Sequence, residues 1–257
     1  MSEQTNFIEK EDVVVKFCGD SGDGMQLAGT LFSDAAALLG LDLATFPDYP
    51  AEIRAPHNTI AGVSGFQVHV GRKKIETTGD FVDILVAMNP ASLKSNLKWT
   101  RPGATIIVDA DMFDEATCKK AGYLTNPLED DSLNGYNLVK APVTMLTRNI
   151  LQPLGIDNKT ADRTRNVFTL GLIYHIFSWS LDSTVHYFKD KFKKKPQMIE
   201  ANKLVLETGY SYADTVETLG SSYHIAKAKM PPGRYRNITG NVATAWGFLA
   251  ASERSGR

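Results

Sequence analysis

The sequence predicts a layered α/β fold, mostly parallel with an antiparallel part, followed by a helical carboxyl-terminal region. Three observations lead to it. Short β-branched runs recur with helix-compatible stretches between them, as strands buried on both faces of a parallel sheet require. One run, Val63 to Val70, alternates apolar with polar residues and stops at a glycine turn. From about Asn158 the strand signals cease and only helical spacing continues.

The first strand is Val13-Val14-Val15-Lys16-Phe17-Cys18. It stops at Gly19, and helical spacing begins at Met25 and continues through Leu27, Leu31, Ala35, Leu38 and Leu39, so the order is strand, glycine loop, helix. Further strands are expected at Leu41 to Phe46, Val63 to Val70, Ile84 to Met88, Thr105 to Val108 and Tyr136 to Val139. Phe66, Val68 and Val70 alternate with Gln67 and His69, and Gly71-Arg72-Lys73-Lys74 before Ile75 suggests a hairpin. Thr160 and Asp162 can start a helix carrying Val167, Leu170, Ile173, Tyr174 and Phe177. Ser180-Leu181-Asp182 can start the next, which ends in Lys191 to Lys195 before Pro196, where cations suit the negative helix end. Those lysines read better as a solvated helix end than as an anion patch. A third helix covers Met198 to Thr208 and is extended past Gly209 to Leu219. The sheet is accordingly Rossmann-like.

Residues 1–225, including helical region 158–219, are expected to form one domain, with 226–237 as a Pro-Pro-Gly linker. Residues 238–257 open an amphipathic helix, with Val242, Ala245, Leu249 and Ala250 on one side. That helix reads as the start of a following domain of a longer polypeptide, or as one that packs on a partner.

Composition narrows the function. With 257 residues and a net charge of -1, the overall field does not capture nucleic acid or an anionic bilayer. No apolar stretch approaches the roughly 20 residues of a membrane span, and the first residues lack a signal-peptide core, so the expected location is cytoplasmic. Two cysteines, Cys18 and Cys118, have no metal spacing, and the five histidines show no H-E-x-x-H pattern. His175 reads as a core or interface residue rather than a ligand, and Cys18 as a buried strand residue.

Three segments carry candidate chemistry. In Gly19-Asp20-Ser21-Gly22-Asp23-Gly24-Met25, glycines between strand and helix let backbone N–H groups approach an anion, and the helix end adds partial positive charge. The pattern is neither G-x-G-x-x-G nor a P-loop, and Asp20 and Asp23 repel phosphate unless turned away. The alternative is a tight turn capped by Asp23 or Ser21. The Pro-rich loop 47–59 places Arg54 after a strand end, where a guanidinium can fork a phosphate or pair with Glu52 or Asp48. Asn89, before Pro90, reads as a helix cap that can also face a ligand shared with the glycine loop.

Together the glycine loop, Pro50-Ala51-Glu52-Ile53-Arg54 and Met88-Asn89-Pro90 resemble the gamma domain of 2-oxoacid:ferredoxin oxidoreductases, in the form fused to the amino terminus of the alpha subunit. The stretch Asn166 to Gly171 adds to the likeness, which covers residues 12 to about 220; Ala-Pro follows Arg54 where many members have Gly-Gly. The resemblance implies CoA-dependent oxidative decarboxylation of a 2-oxoacid, of the 2-oxoglutarate type or, failing that, pyruvate. It implies coenzyme A as co-substrate of this domain, received by Gly19 to Met25 with Arg54 and Asn89 as weaker candidates, and no catalytic or metal-binding residue here. Thiamine diphosphate, Mg and iron–sulfur clusters belong by that resemblance to other domains or subunits, since two cysteines cannot ligate a cluster. The implied partners are the remainder of the alpha subunit, the beta subunit and ferredoxin, in an oligomeric complex, and the chain alone is expected to be inactive. Two other readings stand beside it: a stand-alone nucleotide- or CoA-binding module, and a structural docking domain whose glycine loop only turns the chain.

Overall fold

The computed structural model describes residues 6–50, 62–216, 221–236 and 238–256. Its centre is strand β2 (Asp12–Asp20), buried along nearly its whole length. Because successive side chains alternate across a strand, Val13, Val15 and Phe17 enter the core on one face of the sheet, and Val14 and Cys18 enter a second core on the other. This two-sided demand for apolar groups is why the run reads as continuous β-branched sequence. It also excludes water from Cys18, whose thiol burial pushes up to about 12. Cys18 should therefore stay unmodified by iodoacetamide at pH 8 in the native protein and react only on unfolding. Peptide mass spectrometry showing native labelling at the rate of a free thiol would contradict this.

The six-stranded sheet has the order β3-β4-β2-β5-β6-β7, where β3 is Asp42–Asp48, β4 Val63–Gly71, β5 Val82–Ala87, β6 Thr100–Asp109 and β7 Asn137–Ala141. Strands β2, β5, β6 and β7 are mutually parallel, and β4 runs antiparallel to both β2 and β3. The antiparallel part is thus where the alternation of Phe66, Val68 and Val70 places it, but the hairpin expected at Gly71 does not form. The next strand, β5, begins only at Val82. Both edges of β4 are already paired by β2 and β3, and the Ile75 N–H is taken by Asp42 Oδ2 at 2.7 Å.

Helix α1 (Met25–Leu38) lays Met25, Ala28, Leu31, Phe32 and Ala35 on the first face of the sheet. Helices α2 (Pro90–Asn96) and α3 (Glu115–Lys120) cover the second through Leu93 and Cys118. After β7 the chain is helical: α4 (Val143–Leu151), α5 (Asn158–Asp162), α6 (Arg165–Ile176), α7 (Asp182–Lys191) and α8 (Pro196–Tyr212). The single helix expected from Thr160 is two. Asp157, not Thr160, caps the first by accepting from Thr160 N–H at 3.0 Å, and the chain turns at Arg163 and Thr164 before α6 begins. Helix α8 starts at Pro196 and stops at Tyr212, short of the extension expected from sequence; residues 217–220 lie outside the described ones. The buried Tyr174 of α6 donates to Leu31 O at 3.1 Å, binding the helical layer to α1.

A two-stranded parallel sheet joins β1 (Asn6–Glu9) to β8 (Ser221–His224). Neither strand is legible in the sequence, because each is only four residues long, and β1 exposes its apolar Phe7 and Ile8. Helix α9 (Gly240–Ser255) follows, capped by Thr239, whose hydroxyl accepts from Val242 N–H at 3.3 Å, and it has no buried residue. No helix among the described residues is long and apolar enough to cross a membrane.

Candidate functional site

From β2 the chain leaves through α1 towards β3 on one side of the sheet, and from β5 it leaves through α2 towards β6 on the other. The carboxyl ends of β2 and β5 therefore flank the point where the winding reverses, the usual ligand crevice of an open α/β sheet. Asp20 ends β2 and Asn89 follows β5, and the two meet: Asn89 Nδ2 donates to Asp20 Oδ1 at 2.9 Å. Asn89 also caps α2, accepting from Ser92 N–H at 2.8 Å in a reciprocal capping box, with Pro90 in the first turn. Both readings of Asn89 thus describe the same side chain. A pocket of about 80 Å³ opens beside it, lined by Asp20, Asn89, Pro90, Met112 and the cationic Lys120.

The glycine loop bridges β2 to α1. Gly22 has φ 110° and Gly24 φ 77°, conformations that side chains resist. Gly24 is the N-cap of α1, and no side chain among the described residues caps the helix. The turn is closed by Asp23: its N–H donates to Asp20 O at 3.1 Å, and its Oδ2 accepts from Asp20 N–H at 2.8 Å. The carboxylate therefore turns back into the loop, and Gly19 is needed there because a Cβ would lie 2.7 Å from Asp23 Oδ2. Ser21 is exposed. The side chain of Met25 is a core residue, 1% exposed, so within the loop Met25 offers a ligand only its backbone. Arg54 lies outside the described residues.

Beneath the loop lies a polar network. Arg165, at the start of α6, donates to Asp23 Oδ1 at 2.8 Å and to Thr144 Oγ1 at 2.9 Å, and its guanidinium stands 3.6 Å from Asp109 Oδ2. Thr144, in the first turn of α4, donates its hydroxyl to Asp109 Oδ2 at 2.5 Å and its N–H to Asp109 Oδ1 at 3.2 Å. Burial pushes the Asp23 carboxyl above its ordinary value, with Arg165 pulling the other way. Burial does the same to Asp109, opposed by the hydrogen bonds from Thr144. Asn166 donates to Gly24 O at 3.1 Å, and its buried Oδ1 has no donor among the described residues.

The sequence model of the family described as pyruvate ferredoxin/flavodoxin oxidoreductase matches residues 14–212. The chain belongs to that family. It is 45% identical over 246 residues to the 2-oxoglutarate oxidoreductase subunit KorA of Mycobacterium tuberculosis, a match that covers 96% of this chain and 38% of that protein. The chain thus spans well under half the length of this curated relative. Among solved structures, it superimposes on a 2-oxoglutarate:ferredoxin oxidoreductase from Magnetococcus marinus, with 2-oxoglutarate, coenzyme A and succinyl-CoA bound, at a TM-score of 0.65 and 22% identity, over 86% of this chain and 34% of that one. The gamma subunit of a keto/oxoacid ferredoxin oxidoreductase from Geobacter sulfurreducens is matched over 99% of its length, covering 79% of this chain (TM-score 0.55, 17% identity). A pyruvate oxidoreductase subunit from Thermotoga maritima is matched over 97% of its length and 79% of this chain (TM-score 0.53, 20% identity). These structures share the fold.

Within this domain, sequence reasoning placed Gly19 to Gly24 and Asn89 together but missed Asp109, Thr144, Arg165 and Lys120. Asp109 carried a signal, since it ends an apolar strand as Asp20 does. Arg165 carried none that ties it to a loop 142 residues away.

Proposed function

We propose that this chain is the gamma-type portion of a 2-oxoacid:ferredoxin oxidoreductase acting on 2-oxoglutarate, and that its glycine loop receives coenzyme A. The reading of the loop rests on one observation above all: α1 begins at a glycine N-cap with no side chain among the described residues capping its N–H groups. The unspent partial positive charge of that helix end suits a CoA phosphate or a pantetheine carbonyl. Asp23, the nearest acid, points away from it towards Arg165. Lys120 and Asn89 at the adjoining pocket supply further donors for the same ligand.

Thiamine diphosphate supplies the carbanion chemistry in such enzymes. With its Mg it belongs in this reading to other domains, as do the iron–sulfur clusters. The described residues hold no group of His, Cys, Asp and Glu arranged for a metal ion. Partners are then the remainder of the alpha subunit, a beta subunit and ferredoxin, assembled as an oligomer in the cytoplasm. The solvent-facing apolar residues of α9, Trp246, Phe248 and Leu249 among them, support the reading of residues 238–257 as the opening of the next domain. Alone, the 257-residue chain is expected to turn over no 2-oxoacid.

Gly22 is the position that tests the loop. Among the described residues a Cβ there meets no atom within 4 Å, so it would project into the space this reading gives the ligand. Gly24→Ala is a poorer probe, because its Cβ would lie 2.7 Å from Asn166 Nδ2. In the full-length enzyme with its partner subunit, Gly22→Ala should raise the CoA concentration for half-maximal turnover about tenfold, the worth of one charge-assisted hydrogen bond. Formation of the 2-oxoacid adduct in the absence of CoA should persist. Thermal unfolding provides the control for strain at φ 110°. Unchanged CoA dependence in a folded variant would leave the loop as a turn and favour the docking-domain reading.

A further inference from the structure

A loop that receives an anion carries two aspartates within five residues, and the structure shows how one of them is kept from interfering. We infer that Arg165 is a positioning residue for the CoA site, an inference that rests on the reading of the glycine loop above: it withholds the Asp23 carboxylate from the amino terminus of α1, leaving that helix end free for the ligand. The geometry is specific. Asp23 immediately precedes the N-cap Gly24, so its carboxylate is close enough in sequence to be drawn by the helix field, which favours negative charge at this end. Instead one oxygen accepts from the Asp20 N–H at 2.8 Å and the other from Arg165 at 2.8 Å. Both side chains of the ion pair are largely enclosed, at 12% and 14% exposure, so solvent does little to screen the pair.

Arg165 is held in turn from below. Its Nε donates to Asp162 O at 3.0 Å, its other nitrogen reaches Thr144 Oγ1, and Asp109 stands behind at 3.6 Å. One guanidinium thus serves two buried carboxylates at the carboxyl ends of β2 and β6. Without it, the Asp23 carboxylate is left with the Asp20 N–H and the amino terminus of α1 as its stabilising partners, and there it becomes an internal competitor of the CoA phosphate. Asp20 needs no such partner, since the neutral amide of Asn89 already binds one of its oxygens.

The test uses the full-length enzyme with its partner subunit, reading the CoA concentration for half-maximal turnover, kcat at saturating CoA, and Tm. Arg165→Met should raise the CoA requirement about tenfold, with kcat changed less than about twofold. Adding Asp23→Asn to that variant removes the competing charge while keeping the carbonyl that accepts from Asp20, and should restore most of the CoA affinity. Arg165→Lys keeps the charge but loses the planar fork, so it should lower Tm while leaving the CoA requirement within about threefold of wild type. A purely structural role predicts a different pattern: kcat and Tm fall as KM rises, and Asp23→Asn rescues nothing. Should Arg165→Met fail to fold, Arg165→Lys decides, because a tenfold rise there with the charge retained overturns the inference. Gly22→Ala separates the two levels. If it raises the CoA requirement and the Arg165 variants do not, only this inference fails; if none does, the CoA reading of the loop fails with it.

Discussion

Replacing Gly209 by alanine should destabilise the domain by about 3 kcal/mol or more, at the upper end of overpacking substitutions. Helices α6 and α8 cross with their backbones in contact. A Cβ at Gly209 would lie under 3.0 Å from the carbonyl oxygen and carbon of Phe168, the carbon at 2.8 Å, and 3.0 Å from its Cα. The facing glycine behaves alike: a Cβ at Gly171 would lie 2.8 Å from Tyr210 N and closer still to Leu206 O. Backbone cannot rotate aside as a flexible side chain can, so the helices must separate. Separation would loosen Phe168, Leu170, Val205 and Leu206, all fully buried. Urea denaturation should show a reduced midpoint with an unchanged slope, and Gly171→Ala should give a loss of the same order. Because the two sites share one interface, the double variant should cost less than the sum of the singles. A Gly209→Ala midpoint equal to wild type would mean that the helices do not approach this closely. The loss should reach the site as well, since Arg165 and Asn166 stand at the first turn of α6.

Asp109→Ala is expected to cost about 3 kcal/mol, in the range for removing one member of a buried charged network. Asp109 is 0% exposed, and its oxygens accept both the hydroxyl and the N–H of Thr144. Truncation leaves these donors buried without an acceptor and takes one carboxylate from beside Arg165. Asp109→Asn should lose less, because an amide oxygen still accepts from Thr144. The pH dependence separates charge from shape. Burial raises the Asp109 carboxyl above its unfolded value of 3.8, so in the folded state it keeps a proton that the unfolded chain has already released. Its contribution is therefore fully present below the unfolded pKa and is lost as pH rises to the raised one. Relative to Asp109→Asn, wild type should lose stability as pH climbs from the ordinary aspartate range into that window, and the difference should be flat above it. A difference that grows in wild type's favour with rising pH would show that Arg165 and Thr144 outweigh desolvation.

The two-sided burial of β2 explains why so much of the sheet was legible. A central strand buried on both faces is apolar at nearly every position, Lys16 being the exception here, so Val13 to Cys18 announces itself without reference to anything else in the chain. The start of α1 and the cap at Asn89-Pro90 are equally local, since a glycine loop and a capping box are complete within a few residues. Where the signal needed a distant partner, reading failed. The hairpin expected after Gly71 is absent because β4 spends both edges on β2 and β3, and only the assembled sheet shows which edges are free. Strands β1 and β8 are invisible singly, for each is defined by a partner more than two hundred residues away.

By itself, then, the sequence determined the α/β class, the strand, loop and helix around Gly19 to Gly24, and the helix cap at Asn89, because propensity and capping act over one or two turns of chain. Tertiary structure alone decided that Asp20 meets Asn89 at the point where the winding reverses, and that Asp23 faces inward to Arg165. A carboxylate at a helix entrance has two electrostatically acceptable partners, the helix end and a cation. Which one it takes depends on whether folding delivers a guanidinium to within 3 Å, and here that guanidinium arrives from 142 residues away.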